Sequence, residues 1–201
     1  MIFQGVIMRK TINTLSAAVV AAGMGTAASA AVVDLIGDKD CFGTGGACAE
    51  GSALPGWGVV TQGVGDPAFT DIHTFSGGTT SWTHSFGAGA YTGGMLSIRT
   101  AGIADIAGPY DVLVDGVSVG MMPFDGFGHI LVETFTFAVD ASLLADGMAM
   151  VSFDSSSGDS WAIDYSELTA DMSAIPVPAS LPLLGGALLF GGWVARRRRK
   201  G

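Results

Sequence analysis

Tyr110-Asp111-Val112-Leu113-Val114-Asp115-Gly116-Val117-Ser118-Val119-Gly120-Met121 is the stretch whose reading decides the fold. Two runs rich in β-branched and apolar residues flank Asp115-Gly116. A two-residue turn between such runs needs positive φ at both positions, which Asp and Gly tolerate, so the stretch predicts a β-hairpin.

The pattern extends in both directions. Residues 79–86 alternate, with Trp82, His84 and Phe86 on one face and Ser81, Thr83 and Ser85 on the other. Residues 95–103 alternate again, Leu96 and Ile98 against Ser97 and Arg99, after a Gly-rich break over 87–94. Downstream, residues 130–139 carry the longest strand pattern, and 148–153 and 161–169 complete the set around the polar loop 154–160. Shorter runs at 32–36, 57–61 and 70–75 are further strand candidates, and 142–145 reads as one helical turn. No helix-length period competes with these short runs. About eight strands at this spacing predict an all-β fold, an antiparallel β-sandwich of jelly-roll type. An Ig-like sandwich is the alternative.

Both ends of the chain read as targeting segments. Met8-Arg9-Lys10 precedes a short apolar core at 15–22, and Ala28-Ser29-Ala30 fits a small-x-small cleavage pattern. Residues 1–30 are therefore expected to be a secretory signal peptide removed by signal peptidase. At the other end, Pro176, Pro178 and Pro182 mark an extended hinge. Residues 179–195 carry no charge and predict a transmembrane helix at the short end of the spanning range. Arg196, Arg197, Arg198, Arg199 and Lys200 follow, a cluster expected to stay at the cytoplasmic face. Residues 31–174 are then an extracytoplasmic domain.

Ile175-Pro176-Val177-Pro178-Ala179-Ser180, the apolar run and the basic end resemble a PEP-CTERM-type sorting signal, in the variant built around Val-Pro-Leu-Pro-Ala. Ile175 and Val177 are conservative departures, and the resemblance covers the tail alone. It implies recognition by an exosortase-type membrane protease and sorting of the upstream domain to the cell surface, outer membrane or extracellular space, often alongside exopolysaccharide. A plain, uncut C-terminal membrane anchor is the alternative.

Charge is distributed unevenly. All eighteen acids lie between Asp34 and Asp171, where Lys39 and Arg99 are the only Lys and Arg, so the domain carries −16. A surface of this sign repels nucleic acid, which needs clustered cations. It suits a divalent cation.

Cys41 and Cys48 are the only cysteines, and an even pair in an exported chain predicts a disulfide across a Gly-rich loop. Asp34, Asp38 and Asp40 place oxygens around Gly37, a partial likeness to a calcium loop that lacks the full EF-hand spacing. Asp164 stands in the last strand. A first-strand acid and a last-strand Asp loosely resemble the structural calcium pair of carbohydrate-binding jelly rolls. Asp34, Asp38, Asp40 and Asp164 are thus candidate calcium ligands, and the competing reading has them capping turns in water. His73, His84 and His129 lack metal spacing, and His84 reads as a packed core residue. No Gly-x-Ser-x-Gly elbow and no phosphate-binding loop is present, so no catalytic residues are assigned. Trp57, Trp82, Tyr91, Tyr110, Trp161 and Tyr165 are either core or a sugar-stacking platform.

Two functions fit this sequence. One is an exported surface or matrix protein with a structural, non-catalytic role linked to exopolysaccharide or biofilm. The other is a calcium-dependent carbohydrate-binding module.

Overall fold

The computed structural model describes residues 30–45, 48–54, 60–72, 74, 77–124, 126, 131–156, 158–174 and 188. The expected signal peptide through Ser29, the expected sorting motif from Ile175, the apolar run apart from Leu188, and the basic tail lie outside them. So do Trp57, His73 and His129. Among the described residues no helix is long and apolar enough to cross a membrane. The compact unit Ala28–Ile175 holds the fold that follows.

Among the described residues eight strands form, in the order β1 (Ala31–Gly37), β2 (Gly78–Ser85), β3 (Tyr91–Ala101), β4 (Tyr110–Val114), β5 (Val117–Met122), β6 (Val132–Val139), β7 (Met148–Ser155) and β8 (Ala162–Met172). A single 3-10 turn, Ala141–Leu143, joins β6 to β7. One sheet has the order β1-β8-β3-β6 and the other β2-β7-β4-β5, and the strand pairs within both are antiparallel. Every connection except β4–β5 passes from one sheet to the other, as in a jelly roll. The Ig-like alternative does not fit this order.

The hairpin forms where the Asp-Gly pair placed it. Asp115 and Gly116 take φ of 51° and 78°, and Asp115 Oδ1 also accepts the Met150 N–H at 2.9 Å, tying the turn to β7. One strand expectation fails, and another falls mostly outside the described residues. Of the run at 57–61 only Val60 and Thr61 are described, neither in a strand, and the described residues of the run at 70–75 make isolated bridges, Thr70 to Ile163 and Thr74 to Trp161. There the chain hydrogen-bonds to itself through the Thr70 N–H and the Pro67 carbonyl, so it cannot keep a ladder register. The expected break at 87–94 is partly wrong in the other direction, since β3 begins at Tyr91 and absorbs Thr92 through a register shift.

Alternation fills the space between the sheets. Leu96, Ile98, Leu168 and Ala170 of one sheet and Trp82, Val112, Val151 and Phe153 of the other belong to one buried cluster. Each large apolar side chain so buried contributes about 1.5–3 kcal/mol. Trp161, 1% exposed, meets Phe153 edge-on at 5.2 Å between ring centroids. A smaller cluster of Cys41, Phe42, Leu54, Ala101, Val132 and Ala162 lies beneath the loop after β1.

Candidate cation site

β1 ends at Gly37, whose φ of 79° turns the chain out of the sheet. A Cβ there would stand 2.4 Å from the Asp164 carbonyl oxygen and 3.0 Å from Thr70 Cγ2, so the position demands glycine. The turn carries Asp38 and Asp40 towards β8. The β3–β8 ladder slips at this point. Arg99 pairs with Tyr165 and Thr100 with Ile163, leaving Asp164 as the extra residue of a β-bulge. A bulge re-aims a side chain, and Asp164 is 1% exposed. The loop ahead of β2 adds Asp71. Its N–H donates to the Ile163 carbonyl at 2.7 Å, and its φ of 52° is a left-handed conformation that Asp tolerates.

Asp38, Asp40, Asp71 and Asp164 each place a carboxylate oxygen in one group whose members all lie within 4.8 Å of one another. Three members have donors, Asp38 among them through a hydrogen bond from the Asp40 backbone. The Phe42 N–H donates to Asp164 Oδ1 at 2.7 Å and the Gly43 N–H to Asp40 Oδ1 at 2.6 Å. Arg99 Nε stands 3.7 Å from Asp164 Oδ2. Asp71 differs, because among the described residues neither of its oxygens has a hydrogen-bond partner, and the residue is 1% exposed.

The protonation behaviour follows from this geometry. Burial first, then the charges of Asp164, Asp40, Asp38 and Asp66, push Asp71 up to about 8. Burial and the neighbouring acids raise Asp164 to about 6 against the opposing Phe42 N–H and Arg99. Asp38 is raised by burial and by Asp40. A buried carboxylate without a donor is costly unless a proton or a cation compensates it. Four carboxylates and no nitrogen or sulfur ligand form a hard, all-oxygen set, which suits calcium better than zinc or copper.

Of the four acids expected to hold a cation, three come together. Asp34 stands apart, its Oδ2 accepting from His84 Nδ1 at 2.9 Å and from the Ser85 N–H at 3.1 Å. Asp71 takes its place in the cluster. Asp71 is hidden in the sequence because it lies inside a run whose composition predicts a strand. A carboxylate between Thr70 and Ile72 in that run was the available signal.

Cys41 and Cys48 are disulfide-bonded, with 5.7 Å between their Cα atoms. His84 is a core residue, fully buried, and it also contacts Ser166 Oγ through Nε2 at 2.9 Å. The series Ser166, His84, Asp34 has the order of a nucleophile, base and orienting acid. Ser166 and His84 are both 0% exposed, so no substrate carbonyl reaches the hydroxyl. Trp82, Tyr110 and Trp161 are core residues, between 1% and 5% exposed. Tyr91 is half-buried against Phe86. Tyr165, adjacent to Asp164, is half-buried, with Lys39 Nζ 4.9 Å from its ring centroid.

No family model and no curated protein matches the chain. Among solved structures, it is similar to the CBM36-1 domain of a multidomain xylanase from the hindgut metagenome of Trinervitermes trinervoides. The two are 14% identical, the match covers 69% of this chain and 96% of that one, and the TM-score is 0.37. It is similar also to a CBM35 from Cellvibrio japonicus, 15% identical over 50% of this chain and 74% of that one, with a TM-score of 0.31. A glycoside hydrolase family 86 β-porphyranase from Bacteroides plebeius is 15% identical over 53% of this chain, with a TM-score of 0.38, and the match spans 20% of that enzyme. Two further family 86 structures are spanned over 16% and 17% of their length. All these TM-scores lie below 0.5, too low to place a residue of one chain on a residue of the other.

Proposed function

We propose that this chain is an exported, non-catalytic carbohydrate-binding module whose loop end is organised by a calcium ion held by Asp38, Asp40, Asp71 and Asp164. The observation that carries this reading is Asp71, buried, without a partner for either oxygen among the described residues, and grouped with three other carboxylates. An ion there would offset the mutual repulsion that raises Asp71 and Asp164. The loop after β1, the bulge in β8 and the loop before β2 would then be held as one unit. Extracellular modules bind calcium in the range of about 10⁻⁴–10⁻³ M, a concentration available outside the cell.

Tyr165 supports the carbohydrate part. It follows Asp164 in β8, and Lys39 Nζ lies over its ring, 4.9 Å from the centroid, paired with Glu167 at 2.5 Å. An aromatic ring beside charged hydrogen-bonding groups is suited to stack a sugar once Lys39 swings aside to hold its hydroxyls. The burial of Ser166 and His84 supports a non-catalytic role.

Residues 1–30 and 175–201 carry the export reading. The first would be removed by signal peptidase and the second recognised by an exosortase-type protease after a transient stay in the inner membrane. Intact-mass measurement of the mature protein from cells tests this, with cuts expected after Ala30 and near Pro178. An uncut chain found in the cytosol overturns it. Glycan-array binding of the full chain in millimolar CaCl2 tests the module itself, and binding is expected to vanish in chelator. Absence of glycan binding with calcium, or binding indifferent to chelation, overturns the reading.

A further inference from the structure

Resting on the calcium reading above, we propose that the cation site and the Cys41–Cys48 disulfide are thermodynamically coupled, so that the site reaches full affinity only after oxidation. The geometry places the disulfide between the ligands and their anchors. Cys41 directly follows Asp40, and both Cys41 and Phe42 take left-handed backbone conformations, with φ of 66° and 58°. L-residues other than Asn and Asp disfavour that region, and two in succession need outside support.

Three supports are present. The Phe42 N–H is held by Asp164 Oδ1 at 2.7 Å, the Phe42 ring is fully buried, and the sulfur of Cys41 is bonded to that of Cys48. The far end of the loop converges on the same place. The Cys48 carbonyl accepts from Arg99 Nη2 at 2.6 Å, and Arg99 Nε stands 3.7 Å from Asp164 Oδ2. Arg99 is fixed in turn by Glu50 at 3.0 Å and Thr134 Oγ1 at 2.8 Å.

Both ends of the loop are therefore tied to Asp164, and Asp38 and Asp40 hang from the first of them. Opening the disulfide frees the left-handed pair to relax and withdraws Asp40 from the other carboxylates. A loop that must be ordered on binding lowers affinity, whereas one already closed does not. Coupling of this kind is reciprocal, so an ion that gains affinity from the disulfide must stabilise the disulfide by the same factor. Oxidation outside the cytoplasm would then precede loading, and the ion would protect the bond afterwards.

The test uses the full chain in detergent and Ca²⁺ alone as the probe. Calorimetry compares the oxidised protein with the Cys41→Ser/Cys48→Ser variant, and the variant is expected to bind about tenfold more weakly or worse. The dithiol–disulfide equilibrium of the unmodified protein against dithiothreitol is measured with and without saturating CaCl2. It is expected to move towards the disulfide by the same factor, and this arm stands even where the variant does not fold. Oxidised protein that binds no Ca²⁺ overturns the calcium reading and the coupling with it. Normal Ca²⁺ binding by the oxidised protein, together with a redox equilibrium indifferent to CaCl2, overturns the coupling alone.

Discussion

His84 of β2 and Ser166 of β8 meet across the two sheets, with Nε2 2.9 Å from Oγ. The opposite ring nitrogen, Nδ1, is held by Asp34 of β1 at 2.9 Å. A neutral imidazole that donates from Nδ1 and accepts at Nε2 satisfies both partners. A polar bridge thereby links the two sheets beside the apolar cluster that fills the space between them.

Burial, outweighing the hydrogen bond and charge of Asp34, holds His84 below the ordinary imidazole value of 6.5. The unfolded chain therefore takes up the proton first, and this contribution to stability is complete above pH 6.5 and falls as pH drops below it. Asp71 and Asp164 work in the opposite sense, because their raised values cost the ion-free protein stability as pH rises from 3.8 through about 8 and about 6. Comparison with His84→Gln isolates the histidine. In urea denaturation with chelator, the wild-type advantage is expected to be about 1–3 kcal/mol near pH 8 and to shrink as pH falls below 6.5. A difference that is flat with pH defeats the argument.

Asp71→Asn should act in opposite directions with and without the ion. In chelator the substitution removes a buried, unpaired charge, and it is expected to stabilise the protein by about 1–3 kcal/mol at pH 8. With calcium it removes a ligand. The wild-type gain, about 2.7 kcal/mol at a hundredfold excess over Kd, should then disappear. Thermal melts in EDTA and in CaCl2 read both effects, and the two proteins should exchange rank. A variant less stable than wild type in both buffers would mean that Asp71 serves packing rather than an ion.

The sheets were legible from sequence wherever alternation is strict, as at Trp82, His84 and Phe86 or at Leu96 and Ile98, because a half-buried strand repeats every two residues. The hairpin was legible because Asp115-Gly116 has a local conformational requirement. The site was legible only in part. Asp38 and Asp40 are close in sequence and announced themselves, but Asp164 reaches them through a bulge and Asp71 through a left-handed loop residue. Both devices depend on pairing between distant segments, Arg99 with Tyr165 and Asp71 with Ile163, and no local pattern encodes them. Asp34 shows the converse error. Its proximity in sequence to Asp38 hid the fact that strand geometry points it at His84.

Gly37→Ala tests how far the site depends on the exit from β1. The new Cβ would meet the Asp164 carbonyl at 2.4 Å, a backbone atom that cannot swing aside, and φ of 79° is itself disfavoured for alanine. Destabilisation of about 2–4 kcal/mol is expected in chemical denaturation. Calcium affinity should fall as well, since the clash displaces both Asp164 and the strand leading to Asp38. An alanine variant with wild-type stability would show that the β1 end is loosely held.

Tyr165→Ala separates the sugar surface from the ion. The ring is half-buried on the outer side of its sheet, so truncation leaves the buried neighbours Asp164 and Ser166 in place. Stability is therefore expected to change by less than about 1 kcal/mol, and the calcium-dependent rise in Tm should persist. Glycan affinity should drop by roughly tenfold or more, the scale set by losing one stacked aromatic contact and its ordering of Lys39. Lys39→Ala should give a smaller loss, because its ion pair with Glu167 is exposed and contributes little. Loss of the calcium response in Tyr165→Ala would merge the two surfaces into one, whereas unchanged glycan affinity would remove Tyr165 from the binding face.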